Sequence, residues 1–145
     1  MCVEKQNLRQ QKGLAAVEFI VTIPVLLLIV VGMVEVGNAL VKYNTLNKMV
    51  QSGVRYATSD IQGTSSYDQI ADTTAIKNMV VYGESSSGGS SLLEGVGVDD
   101  VTVTHSSGYV TITLASSYTP VLLGLPDSSL YSVPLNASAV MRTAP

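Results

Sequence analysis

From Leu14 to Val34 the chain is apolar on every side and carries one charge, Glu18; beyond Val34 polar residues return at regular intervals. At ~1.5 Å per residue this run reaches about 32 Å, enough for a helix to cross the hydrocarbon core of a bilayer. Between Val17 and Val36 stand fourteen Leu, Ile, Val or Phe residues. At roughly −0.3 to −0.6 kcal/mol each they favour insertion by about 4 to 8 kcal/mol. Glu18 and Glu35 lie near the two ends, where the penalty falls well below the ~3 kcal/mol of a charge at mid-membrane. A buried helix of a soluble protein fits poorly, because the run has no polar face to turn to water. Pro24 lacks a backbone donor and predicts a kink or loosened turn inside the span.

Past the span, Val36, Leu40, Tyr43, Leu46 or Asn47, Val50, Val54 and Ala57 recur every three or four residues, with Glu35, Lys42, Lys48 and Arg55 between them. That stripe predicts one unbroken helix from Leu14 to Thr58, about 68 Å long at ~1.5 Å per residue. Its residues 14–36 form the membrane part. Residues 37–58 form an outer half that can cover a small domain or join a bundle of similar helices. Lys5, Arg9 and Lys12 precede the span while Lys42 and Lys48 follow it, a balance that favours a cytoplasmic N-terminus by a narrow margin.

Residues 59–145 read as a small separate domain. Asp60 to Tyr67 is a loop, and Ser66 is positioned to cap a helix from Tyr67 to Tyr82 with Asp68 in its first turn. Gly83 to Ser91 is rich in Gly and Ser and predicts a surface loop. Val101–His105 and Tyr109–Leu114 alternate with period two around Ser106-Ser107-Gly108, an antiparallel hairpin signal. Val133–Met141 alternates in the same way, with Pro134 restricted to a strand start or an edge. The link from Ser116 to Leu130 looks irregular, with Val121–Leu125 free to pack inward or form a contact patch. The expected class is α+β, a long N-terminal helix followed by a short helix and about three antiparallel strands.

Charge and composition narrow the function. The net charge is −3, and residues 59–145 carry Lys77 and Arg142 against eight acids. Nucleic-acid binding needs clustered positive charge and is not expected. Cys2 is the sole cysteine, so no intramolecular disulfide can form. The single histidine, His105, sits at a strand end, and neither H-E-x-x-H nor G-x-S-x-G occurs. Asp99 and Asp100 are an adjacent pair without the oxygen-rich spacing of a calcium loop, and they read as a solvated strand start. Asn136-Ala137-Ser138 matches a glycosylation sequon on a strand, where a structural role is expected. No enzyme activity, cofactor, metal or small-molecule substrate is expected.

The string Lys12-Gly13-Leu14-Ala15-Ala16-Val17-Glu18-Phe19 resembles the processing site of type IV pilin-like precursors. With Pro24 and its leucine run, Gly32-Met33-Val34-Glu35-Val36-Gly37-Asn38-Ala39 and Gly53-Val54-Arg55-Tyr56-Ala57, it is similar to the TadE-like minor pilins, or pseudopilins, of tight-adherence pilus systems. The ending Asn136 to Arg142 resembles the last strand of that family. The resemblance implies that residues 1–13 are a leader, cut after Gly13 by a prepilin peptidase to leave Leu14 first and Glu18 fifth. It implies a subunit held in the bacterial inner membrane with its distal domain outside the cytoplasm. Its partners would be TadF- or TadG-like proteins and a thin Flp-type pilus, in support of surface adherence and biofilm formation. Lys12, Gly13 and Leu14 are then the processing residues, and Glu18, Phe19, Pro24 and Glu35 the assembly residues.

Cutting after Gly13 exposes the amine of Leu14, and a neighbour's Glu18 carboxylate can offset that charge in an apolar bundle and set axial register. Glu35 either pairs with a partner's basic residue or marks the outer boundary, and the boundary role is favoured. Two other readings of the same segment stay open. One is a secreted binding protein, with Gly37-Asn38-Ala39 offering small residues to signal peptidase. The other is an uncut single-pass anchor for an envelope complex.

Overall fold

The continuous apolar run and the stripe that follows it build a single helix, α1, over Val3–Ser59 in a computed structural model that describes residues 3–59, 69–120 and 132–143, with side chains from Leu14 onward. The helix passes through Gly13 and Pro24 without interruption, starting eleven residues before the expected Leu14. Its two halves have opposite surroundings. From Leu14 to Val34 nearly every side chain is exposed, while Leu46, Met49, Val50, Val54 and Ala57 are buried at the three- and four-residue spacing of one helix face.

A second helix, α2, spans Thr73–Tyr82. The Asp72 carboxylate caps it by accepting from the Ala75 N–H at 3.0 Å, and Gly83 ends it in the left-handed conformation, donating to the Met79 carbonyl at 3.1 Å. The helix therefore begins six residues later than the Tyr67 expected from sequence; Ser66, Tyr67 and Asp68 lie outside the described residues, as does the loop from Asp60. Asp72 satisfies one of the free N–H groups at the helix start, which fixes that start at Thr73.

Three strands follow: β1 Val101–Ser106, β2 Tyr109–Tyr118 and β3 Val133–Arg142, in spatial order β1-β2-β3 and antiparallel throughout. Ser107 and Gly108 form a two-residue turn with φ of 53° and 74°, the geometry that matches the twist of a tight hairpin. Ser106, expected in the connection, is paired with Tyr109. β2 runs on to Tyr118, where an irregular link was expected from Ser116; Ala115 to Ser117 hide the alternation that Tyr118 resumes. Val121–Leu125 lies outside the described residues. β3 is an edge strand, and Pro134 is its second residue, as the missing donor requires.

Alternation sends Val101, Val110, Ile112, Leu114, Tyr118 and Ala137 to one face and leaves Thr102, Thr104, Thr113 and Ser138 on the other. The outer half of α1 lies on the apolar face, and α2 packs beside it. Gly53 of α1 is tightly packed against both α2 and the sheet: a Cβ there would overlap a Val80 methyl group and stand 3.2 Å from Ile112 Cδ1. No side chain larger than hydrogen fits that crossing without displacement.

Candidate functional site: the apolar shaft and its outer latch

Among the described residues nothing packs on the inner half of α1, which forms a bare shaft. Leu14, Val17, Phe19 and Ile20 are all exposed by more than half, and the helix is long and apolar enough to cross a membrane. Glu18 is exposed among them, and its carboxylate has no partner among the described residues. Its backbone carbonyl accepts a hydrogen bond from Thr22 Oγ1 at 2.7 Å. That carbonyl lies two residues before the one of Ile20, which Pro24 leaves without its usual donor. Lys12 and Gly13 belong to the turns of α1 that precede the described side chains. Leu14, Glu18, Phe19 and Pro24 thus form one accessible stretch.

Glu35 stands apart from these. It is 7 % exposed, and its carboxylate accepts a short hydrogen bond from the Tyr118 hydroxyl at the end of β2. The same hydrogen bond holds the Tyr118 hydroxyl above its ordinary titration range of 10.0, helped by burial and by the Glu35 charge, while Asn38 acts in the opposite sense. One turn further on, Lys42 Nζ donates to the Ser117 carbonyl at 2.8 Å. Positions 35, 38 and 42 follow a three-and-four spacing and so share one face of α1. Together they latch the last two residues of β2 to the helix where its apolar run ends.

Sequence reasoning identified Glu35 and placed it at the outer boundary, but missed Tyr118. A usable signal was present, since Tyr118 keeps the parity of Val110, Ile112 and Leu114 and so faces the helix. At the opposite end of the domain, Thr58 Oγ1 lies 3.1 Å from Met141 Sδ on β3. β2 therefore runs antiparallel to α1, from the hairpin beside the helix end back to the point where the shaft begins.

Beside the latch lies an open cleft of about 580 Å³, walled by Asn38, Val41, Lys42 and Thr45 on α1 and by Ser117, Tyr118 and Glu94 opposite. Asp100, from the adjacent acidic pair, has its carboxylate turned to the Gly97 N–H at 2.8 Å, closing the short 3-10 turn Val98–Asp100 ahead of β1. His105 is half-buried opposite Val110.

Residues 13–55 match the family of TadE-like proteins. The TadE-like segment begins at Gly13, covers the whole shaft with Glu18, Pro24 and Glu35, and reaches the helix crossing at Gly53. It ends before α2 and the sheet, which have no counterpart in the match. It agrees with the resemblance seen in the sequence. No curated protein and no solved structure matches the chain.

Proposed function

We propose that the chain is a minor pilin or pseudopilin that takes part in assembling a tight-adherence pilus and so supports surface attachment. One observation carries the proposal: an apolar helix exposed on all sides bears an accessible carboxylate, Glu18, one turn past the Gly13-Leu14 junction, and continues into the core of a folded head. A helix with this surface is stable in lipid and equally suited to a bundle of like helices, so it can pass from one to the other. The protein works by association and carries out no reaction.

In this scheme a prepilin peptidase cuts after Gly13 and frees the Leu14 amine. That cation and the Glu18 carboxylate of a neighbouring subunit neutralise one another in an environment where either alone is costly. Phe19 and Pro24 shape the adjoining contact surface. The head lies outside the cytoplasm and meets TadF- or TadG-like partners, while the shaft waits in the inner membrane. The latch supports an integral shaft over an export signal. Cutting after Ala39 would carry away Glu35 and Asn38 and leave Tyr118 without the carboxylate it binds.

Sequencing the N-terminus of the protein recovered from cells tests the scheme. Leu14 is the expected first residue; Leu40 would point to secretion and Met1 to an uncut anchor, and either overturns it. Glu18→Ala is expected to leave membrane insertion intact and to weaken assembly, read as incorporation into sheared pili, and equal incorporation contradicts the pairing.

A further inference from the structure

The cleft beside the latch is not explained by folding or by helix association. We infer that it is a headgroup site for a phospholipid bearing a phosphate and an ammonium group, of the phosphatidylethanolamine type. The inference rests on the reading of Leu14–Val34 as a membrane span, and three observations support it.

The first is height. A span ending at Val34 puts Glu35 at the edge of the hydrocarbon, and the polar layer beyond it is roughly 5 to 8 Å deep on each side. Asn38, about 6 Å past Val34 at ~1.5 Å per residue, lies within that layer, and Val41 and Thr45 continue the cleft wall outward from it. Lys42 is rooted higher, but its ammonium reaches Ser117, the neighbour of the Tyr118 that touches Glu35, so its charge is drawn back toward the bilayer. Helical side chains lean toward the N-terminus, here the membrane side, which permits that reach.

The second is charge. Lys42 uses one of its three donors on the Ser117 carbonyl, and the remaining two are available to a phosphate. Glu94, on the facing wall, is exposed and supplies a carboxylate for an ammonium group. A cation on the helix wall and an anion on the loop wall complement a zwitterion better than a purely anionic headgroup.

The third is continuity. Leu27, Val31, Val34, Asn38, Val41 and Thr45 succeed one another at four, three, four, three and four residues, a single face of α1. The lower part of that face is apolar, with Leu27 and Val34 well exposed, and its upper part is the cleft wall. An acyl chain laid along the shaft therefore leads its headgroup into the cleft.

The test uses the full chain in vesicles containing equal amounts of phosphatidylethanolamine and phosphatidylglycerol, released gently and weighed by native mass spectrometry. One retained phosphatidylethanolamine per chain is expected, in preference to phosphatidylglycerol. Thr45→Trp, which fills the cleft without removing the Lys42 bond, should abolish retention. Glu94→Gln should reduce the preference for the ammonium headgroup about fivefold, the effect of one charge near a lipid surface. Retention unchanged in Thr45→Trp, no retained lipid in the wild type, or equal retention of both lipids overturns the site. Cross-linking of Val41→Cys to a partner protein in place of lipid retention also overturns it. Alkaline extraction of the same membranes is a separate check, since a chain that washes off has failed as a membrane span and not merely as a lipid site.

Discussion

Replacing Gly53 by alanine isolates the cost of the helix crossing, because Gly37 offers a matched control on the same helix. Both substitutions gain about 0.8 to 1.0 kcal/mol of helix propensity. At Gly37 the new methyl meets nothing within 4 Å; at Gly53 it overlaps a Val80 methyl group and lies 3.2 Å from Ile112 Cδ1, both fully buried side chains. Val80 is β-branched and has little rotamer freedom on a helix, so relief requires α2 or the sheet to shift. Overpacking of this kind costs about 1 to 3 kcal/mol. The propensity gain is common to both variants and cancels in their difference, leaving Gly53→Ala less stable than Gly37→Ala by about 1 to 3 kcal/mol. For a head of this size that is a separation in thermal midpoint of about 4 to 24 °C. The assay is thermal unfolding of the full chain in detergent, followed by near-ultraviolet circular dichroism of its tyrosines, which reports tertiary packing of the head. Coincident midpoints, or a rise at Gly53 equal to that at Gly37, would refute the crossing. Adding Val80→Ala to the Gly53 variant should recover part of the loss, as expected of two residues in direct contact.

Three further outcomes are expected, two from the structure and one from the proposed processing. Tyr118 is neutral and bonded to Glu35 in the folded protein and titrates above 10.0 there, so its contribution to stability is complete below pH 10 and falls as pH rises past it, when the unfolded chain loses the proton first; the stability difference between wild type and Tyr118→Phe should narrow above pH 10, and a constant difference in alkaline denaturation curves would remove Tyr118 as the cause. Asp72→Ala deletes the α2 cap and should cost about 0.5 to 2 kcal/mol, measured by denaturant unfolding, whereas Asp72→Asn should restore most of it. Under the proposed processing, substitution of Gly13 by leucine should block maturation, because a bulky side chain does not suit a narrow protease site, and an unchanged mature mass would count against the cleavage site.

The elements with strong periodicity were legible from sequence, and those defined by single contacts were not. The apolar run, the stripe from Leu46 to Ala57 and the alternation of all three strands set helix, sheet and inner face, because each depends on many residues agreeing. The start of α2 depended on one carboxylate, Asp72, which competed with Ser66 and carried no periodic signal. The end of β2 was obscured by Ala115-Ser116-Ser117, where small polar residues mimic a loop. At the candidate site, Leu14, Glu18 and Phe19 were read from one contiguous motif and Pro24 from the leucine run that follows it. Glu35 was read as a boundary marker, but its bond to Tyr118 joins residues 83 positions apart, a separation at which no local pattern operates.

Because β2 returns along α1 to the base of the shaft, tension applied through the helix loads the head lengthwise. The Glu35 and Lys42 contacts lie at the base of the head, where that pull enters. In the proposed role, that arrangement would suit a subunit tugged along the axis of a fibre.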